Sequence, residues 1–575
     1  MTISTLDWII IIFFLVLFAG IGIYVSKQAG KDSKAFFLSG RNMPWWLLGV
    51  SMVATTFAAD TPNFVAGVIR EDGVFGNWIW WSFLLTGMLT VFFYAKLWRK
   101  SGITTDLEFY ELRYSGKSAA FLRGFRALYL GVFFNIVIMA NVCLAAIKIG
   151  HVMFGFTTFQ TLFIASIVTV IYSTLGGLKG VLLTDFVQFI IAMVGSVWAT
   201  VHIVNMPEIG GLTKLLETPE VASKTAMLPD FSQPELLIPL LIVPLAVQWW
   251  SVWYPGAEPG GGGYIAQRML AAKDEKHATW AVLFFNFAHY ALRPWPWIVI
   301  GLASIVIFPN LDSLQAAFPE LEASFVKDDL SYPAMLTFLP VGLLGIVITS
   351  LIAAFMSTIS THLNWGSSYV VNDFYARFIR KEASGKEQVL VGRISTVVMM
   401  LLAALLATIL EEARDAFNLM LQIGAGTGLL FILRWFWYRI NPWSEIAAMI
   451  ISFGIALFFF INGKMDSPLV DWAGHWQLVF GVVVTTIGWI LVTLLTKPSG
   501  DQTLQSFHKL IFGEDSKFKG FGSKILGFFC GVIGVYCALF AIGNFIYGET
   551  LLAFGLSLIT ILCSVVIIRS FKKSI

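Results

Sequence analysis

Long apolar runs alternate with short polar connections along the whole chain. About fifteen of these runs could cross a hydrocarbon core of about 30 Å as helices. They centre on 7–25, 44–69, 76–97, 124–150, 157–175, 181–204, 236–256, 278–308, 340–371, 389–410, 414–437, 443–462, 477–496, 525–546 and 550–569. Two runs are interrupted. The second reads SMVATTFAADTPNFVAG, Ser51 to Gly67, with Asp60, Thr61, Pro62 and Asn63 at mid-span. The seventh begins near Leu236 and ends in YPGAEPGGGGY, Tyr254 to Tyr264. Lipid cannot satisfy free N–H and C=O groups, so unwound backbone at membrane depth must be buried or line a wet cavity. The second interrupted run comes five runs after the first. That spacing predicts an inverted repeat of five helices plus five, with a discontinuous first helix in each half and a solute and ion site between the breaks. A single proline kink is ordinarily structural; two breaks at the same repeat position favour a transporter.

Composition agrees with the pattern. Of 575 residues, 57% are hydrophobic and 13% charged, with 51 Phe and 21 Trp. A soluble domain of this size carries far more charge. The formal net charge of +3 implies no nucleic-acid partner, because the basic residues are scattered in short connections. Cys143, Cys530, Cys537 and Cys563 all fall in apolar runs, without disulfide or metal-type spacing. Leu6 to Val25 reads as a span rather than a cleavable signal.

Basic residues set the expected orientation. Lys27, Lys31, Lys34 and Arg41 share one side with Arg99, Lys100, Arg113, Lys117 and Arg123, and with Arg268, Lys273 and Lys276. Arg377, Arg380, Lys381 and Lys386 join them, as do Lys509, Lys517, Lys519, Lys524, Arg569, Lys572 and Lys573. The opposite connections are neutral or acidic, for example Glu320, Glu322, Asp328, Asp329, Glu411, Glu412 and Asp415. The expectation is a multi-pass protein of the plasma (inner) membrane, N-terminus outside and C-terminus cytoplasmic. Segment 497–524 reads as a flexible cytoplasmic linker.

The ninth run contains LIAAFMSTISTHLNWGSS. Ala354, Ser357, Thr358 and Thr361 recur at helical spacing and share a face, with Ser360 beside them. Close helix packing explains such a stripe. So does a hard-cation site completed by carbonyls freed at the first break. Spacing does not choose between them.

Five motifs carry a resemblance: FFLSGR (Phe36–Arg41), DLEFYELRY (Asp106–Tyr114), YSTLGGLKGVLLTDFVQ (Tyr172–Gln188), YIAQRMLAAK (Tyr264–Lys273) and LPVGLLGIVITSLIAAFMSTIS (Leu339–Ser360). Over about Phe36 to Trp437 the chain resembles the sodium/solute symporter family, which includes the sodium/glucose, sodium/proline and sodium/sialic acid symporters. The resemblance implies an all-α polytopic membrane protein with the five-plus-five (LeuT-like) inverted-repeat fold, one extra helix before the core and about four after. Its parts would be an N-terminal helix and loop (1–43), a first repeat (44–204), an extracytoplasmic loop (205–235), a second repeat (236–437) and additional helices (438–575). It implies Na⁺ coupling and alternating access by a monomer in the lipid bilayer.

Carried over residue by residue, the main sodium site would take the carbonyls of Ala54, Phe57 and Ala354 and the hydroxyls of Ser357 and Thr358. Some members hold a second sodium, for which Asp185, Ser357, Ser360 and Thr361 are the candidates here. Asp185 also reads as a carboxylate favoured near a helix N-terminus. Solute contacts would come from Asp60 and Thr61, where sugar-transporting members place polar groups, and from Gln422. Ser251 and Tyr254 are candidates too, Tyr254 as an aromatic gate. Arg293 sits inside a span beside Pro294 and has two readings: an ion pair with Asp60 or Glu258, slightly preferred, or a bidentate grip on a solute carboxylate. NWIWW (Asn77–Trp81), whose Asn77 is a further solute candidate, and QWWSVWY (Gln248–Tyr254) offer aromatic surface toward a cavity. The chain departs from the family at PGAEPGGGG, where the break is several residues longer than usual. Glu258 is the charged side chain it adds, and it joins the solute candidates.

The expected activity is inward, sodium-coupled symport of a small polar organic solute: a sugar, a sugar acid or similar. The alternatives are a proton-coupled or passive transporter, or a channel, of the same fold. An enzyme is not expected, since the seven His are scattered without metal or triad spacing.

Overall fold

The computed structural model describes residues 3–29, 33–410, 413–465, 467–513 and 520–574. Lys31, Glu411, Glu412, Lys517 and Lys519, used above for orientation, lie outside them. Among the described residues the protein is all-helical, apart from two isolated bridges between unwound segments. Twelve helices among them are long and apolar enough to cross a membrane.

Helix α1 (Thr5–Ala29) precedes the core. The first broken span is α2 (Trp45–Thr56) and α3 (Asp60–Glu71). Then come α4 (Val74–Ser101) and α5 (Lys117–Phe154), followed by α6 (Thr158–Val204), which is kinked at Gly177. The second broken span is α7 (Pro234–Ser251) and α8 (Gly263–Ala271). Helices α9 (Glu275–Ile307), α10 (Leu343–Ile379) and α11 (Gly385–Ala407) follow. A third span is also divided, into α12 (Ala413–Gly424) and α13 (Gly428–Leu433). Helices α14 (Pro442–Asn462), α15 (Gly474–Leu495), α16 (Phe521–Tyr547) and α17 (Thr550–Ser574) complete the chain.

The central bundle packs α2 against α6 and α9 and α3 against α9, with α10 against α2 and α6. α1 lies on α6 and α10, and α16 and α17 form an outer pair. Outer helices turn bare apolar side chains outward; Leu551 of α17 is 88% exposed. That is a lipid-facing surface, since water would penalise it.

Unwound backbone is satisfied where the breaks meet. Val252 bridges to Ala425, and the Trp253 N–H donates to the Gly424 carbonyl at 3.1 Å. A Cβ at Gly424 would overlap the Trp253 carbonyl oxygen, so this approach needs glycine. In α9 the Arg293 N–H donates to the Ala288 carbonyl, five residues back, at 3.2 Å. This π-turn absorbs the irregularity that Pro294 imposes.

The structure corrects three sequence expectations about loops. Arg268 and Arg113 are not loop residues facing water: both are buried, Arg268 fully, inside helices. Segment 497–524 is not simply a linker. Residues Asp501–Phe512 form a helix that buries Phe507 and Ile511, with Phe507 against Phe109 and Trp435.

Candidate functional site

The first break is shorter than its sequence suggests. α2 ends at Thr56 and the chain is helical again from Asp60. Asp60 and Thr61 therefore open α3 rather than sit in unwound backbone. The carbonyls at the end of α2 have lost their next-turn donors, apart from the Phe57 N–H, which lies 2.9 Å from Val53 O and 3.1 Å from Ala54 O.

The hydroxyl stripe of α10 faces this open end. Thr358 Oγ1 donates to the Thr55 carbonyl at 2.8 Å, and Thr361 Oγ1 is 3.1 Å from Thr55 Oγ1. Ser357 Oγ donates to Asp185 Oδ1 at 2.6 Å, and Ser360 Oγ to the Ser357 carbonyl at 3.1 Å. All four hydroxyl residues are buried. Hard oxygens from two helices are thus brought together where one of them unwinds, and that donor chemistry fits Na⁺.

Asp185 is fully buried in the interior of α6, past the Gly177 kink, so it is not a helix-terminus carboxylate. Its second oxygen accepts from Ser51 Oγ at 2.5 Å. Arg268 from α8 completes the cluster, donating through Nη2 to Thr361 Oγ1 at 2.8 Å and to Ser51 Oγ at 3.2 Å. Thr55 Oγ1 is 3.4 Å from the same nitrogen. A guanidinium is therefore seated among the hydroxyls expected for a second sodium. Sequence reading missed Arg268, Ser51 and Thr55.

A cavity of about 150 Å³ opens beside this cluster, between both breaks and helices α4, α5, α9, α10 and α12. Asp60, Thr61, Tyr254 and Arg293 line it, as do Trp80, Asn141, Tyr264 and His289. Asp60 Oδ2 accepts from Asn141 Nδ2 at 2.8 Å. Among the described residues Asp60 Oδ1 and Asn141 Oδ1 have no hydrogen-bond partner, although both are buried. Buried acceptors without donors are costly. Both are acceptor oxygens, so they suit a solute that donates. Asn141 was missed by sequence reading; its signal is one of two amides, with Asn135, in a mostly apolar run.

Thr56, one turn from Met52, donates its single proton toward the Met52 and Val53 carbonyls at 3.1 and 3.0 Å. His289 Nδ1, 2.9 Å from Thr56 Oγ1, must then carry its own proton. That leaves Nε2 to accept from Arg293 Nη2 at 3.4 Å. Arg293 also donates to the Val53 carbonyl at 3.3 Å and lies over the Trp297 ring, 5.4 Å from its centroid. Trp297 in turn stacks on Phe57 at 5.0 Å. Among the described residues Arg293 forms no ion pair with Asp60 or Glu258, contrary to the preferred reading; an aromatic face and a carbonyl take that place.

Four solute candidates lie away from the cavity. Asn77 Oδ1 accepts from Trp80 Nε1 at 2.8 Å and so orients a cavity tryptophan. Ser251 Oγ bonds back to the Val247 carbonyl at 2.5 Å. Gln422 points to Gln477 on α15 at 3.2 Å. Glu258 binds the Gly256 N–H at 2.9 Å, beyond the lining. Of the two aromatic motifs, Trp80 and Tyr254 reach the cavity. Tyr254 sits between Phe83 (5.7 Å) and Phe417 (5.0 Å).

The comparisons with known proteins agree with this geometry. The model of the Sodium:solute symporter family matches residues 36–452. The chain belongs to that family. It is 25% identical to the sodium/glucose cotransporter of Vibrio parahaemolyticus over 519 residues, covering 87% of this chain and 92% of that one. It is 26% identical to the sodium/sialic acid symporter SiaT of Proteus mirabilis (strain HI4320), over 79% of this chain and 91% of the relative. Among solved structures, a substrate-bound, outward-open Na⁺-coupled sialic acid symporter shares the fold. Its TM-score is 0.66 at 21% identity, and the match covers 86% of this chain and 99% of that one. The protein is thus a multi-pass sodium symporter of a family of transporters, not enzymes, and Na⁺ is its coupling ion.

The ends of the bundle carry ion pairs. At one, Arg123 meets Asp373 at 2.6 Å and Glu111 at 2.7 Å, and Arg377 meets Glu111 at 2.7 Å. Burial works against the charge on Glu111, but the Arg377 and Arg123 guanidiniums outweigh it and hold that carboxyl below its ordinary range. At the other end, Arg414 of α12 pairs with Glu71 and, at 2.9 Å, with Asp72.

Proposed function

We propose that the protein imports a small, hydroxyl-rich organic solute, a sugar or sugar acid, together with Na⁺ by alternating access. The observation that carries the solute class is the pair of unpartnered acceptors, Asp60 Oδ1 and Asn141 Oδ1, in the wall of a cavity with aromatic faces. Sugar hydroxyls are the donors such oxygens need, and Trp80 and Tyr254 suit the apolar face of a sugar ring.

One sodium sits among the carbonyls of Ala54, Phe57 and Ala354 and the hydroxyls of Ser357 and Thr358. Binding there ties the end of α2 to α10 and so biases the cavity beside it. A second ion at Asp185, Ser360 and Thr361 would have to displace Arg268, so the reading carries one sodium per cycle. The protein works as a monomer with fifteen crossings of the inner membrane, its N-terminus outside and its C-terminus cytoplasmic.

The test is a thermal-stability screen of purified protein against sugars, sugar acids, amino acids and osmolytes, each with and without Na⁺. The expected result is stabilisation by a hydroxyl-rich solute that requires Na⁺. Stabilisation by an amino acid alone, or the same solute shift in Na⁺-free buffer, overturns the reading.

A further inference from the structure

The long second break does not cover the cavity. Pro255, Gly256 and Ala257 line it, but from Glu258 the chain turns away and packs as a plug against α4. The Trp98 Nε1–H donates to the Gly260 carbonyl at 2.7 Å. Gly260 and Gly261 both adopt positive φ, 80° and 82°, so the plug turns as only glycine does readily. The surplus length thus carries one ionisable side chain to a fixed, buried place. Glu258 is 4% exposed.

The surroundings of Glu258 offer it no cation. Oε2 accepts from the Gly256 N–H, while Oε1 has no partner among the described residues. No Lys, Arg or His among the described residues forms an ion pair with it. The facing side chain from the loop before α5 is another carboxylate, Asp106, whose oxygens accept from the Gly263 N–H at 2.9 Å and from the Tyr369 hydroxyl. The remaining ionisable neighbours are Tyr254 in the break and Tyr264 on α8. Arg268 lies a further turn along α8 and is committed to Ser51 and Thr361; Arg434 stacks on Phe109 beside Asp106. An unpaired carboxylate buried beside a second one is strongly disfavoured.

We propose that Glu258 binds a proton in this conformation and that the break is a proton-carrying site separate from the sodium site. A metal ion is the poorer occupant. It needs several oxygens, whereas Oε1 is bordered by the Gly263 backbone and Trp365: a Cβ at Gly263 would lie 2.7 Å from Oε1 and 3.1 Å from Trp365 Cζ2. A neutral carboxyl fits that surface. Glu258 lies toward the end of the bundle that holds Asp106, Glu111 and Arg377. When that end opens, water reaches the break and the proton leaves to that side.

The test is infrared difference spectroscopy of the full chain in lipid, titrated with pH in H₂O and D₂O. The expected result is a protonated-carboxyl C=O band at pH 7 that shifts in D₂O and is lost in Glu258→Gln. The band persists in Asp60→Asn and Asp185→Asn, which remove two other carboxyls inside the bundle. If Glu258→Gln does not accumulate, Glu258→Asp should move the band instead. No Glu258-dependent band at pH 7 overturns the proposal. So does a Glu258 carboxylate signal that responds to Na⁺ and not to pH. Sodium-dependent thermal stability of the same samples reports the sodium site separately, so either reading can fail without the other.

Discussion

Thr358 donates its hydroxyl to the backbone carbonyl of Thr55 at 2.8 Å, joining α10 to the last turn of α2. That contact places the hydroxyl at the open end of the broken helix, where a small cation would replace the hydrogen bond with coordination. Removing one of five oxygen ligands should cost about 1–1.5 kcal/mol. Thr358→Ala and Ser357→Ala should each raise the Na⁺ concentration for half-maximal stabilisation about tenfold. Sodium titrations of thermal stability measure this directly, and unchanged midpoints in both variants would remove the site from α10.

Asp185 and Arg268 meet through a shared hydroxyl, that of Ser51. The carboxylate faces a cation built into the chain, so Asp185→Asn should leave the sodium:solute flux ratio unchanged while lowering stability. Removing either member alone leaves a buried charge uncompensated; removing both does not. The double variant Asp185→Asn with Arg268→Gln should therefore be more stable than the two single losses predict, by about 1–3 kcal/mol of coupling. A fall in the flux ratio in Asp185→Asn would instead show that a second sodium binds there.

The membrane architecture was legible because lipid imposes long apolar runs, and the two breaks because Pro, Gly and Asp cannot hide in them. The hydroxyl stripe on α10 was legible from spacing, since a helix maps sequence onto one face. Arg268 was not. It lies a few residues before Lys273 and Lys276 and looks like part of one basic loop, yet α8 carries it into the bundle. Its partners, Ser51 and Thr361, are remote in sequence. Ser251 and Gln422 lie off the cavity for another reason. A broken helix turns its side chains by an amount no helical period foretells, and both bond away from the cavity. Glu258 is two residues from a cavity-lining glycine, and the turn between them decides its place.

Arg293 holds the Val53 carbonyl and covers Trp297, which stacks on Phe57. It braces the segment of α2 whose carbonyls are proposed for sodium. A lysine keeps the charge but not the planar, multiply donating head. Arg293→Lys should lower thermal stability, by about 1–3 kcal/mol, and weaken neutral and acidic solutes alike. A selective loss of acidic solutes, with the melting temperature retained, would make Arg293 a solute-carboxylate ligand instead.

Arg414 clasps Glu71 and Asp72, linking the start of α12 to the end of α3; Phe417 and Phe64 of these two helices line the cavity, so opening a mouth between them would part the clasp. The three side chains are partly exposed, so the clasp is weak and screened by salt, about 1 kcal/mol or less. A gate needs that weakness, because a stronger pair would lock the mouth. Arg414→Ala should favour the open mouth by up to about fivefold. The readout is labelling of Thr61→Cys, a cavity residue, by a membrane-impermeant maleimide. The background would lack Cys143, Cys530, Cys537 and Cys563. Labelling should quicken in Arg414→Ala, and raising the salt concentration should quicken it in the parent but not in the variant. Equal rates with and without Arg414 would mean that the pair fastens a mouth that stays closed for other reasons, with the aromatic contacts of Tyr254 to Phe83 and Phe417 as the next bond to break.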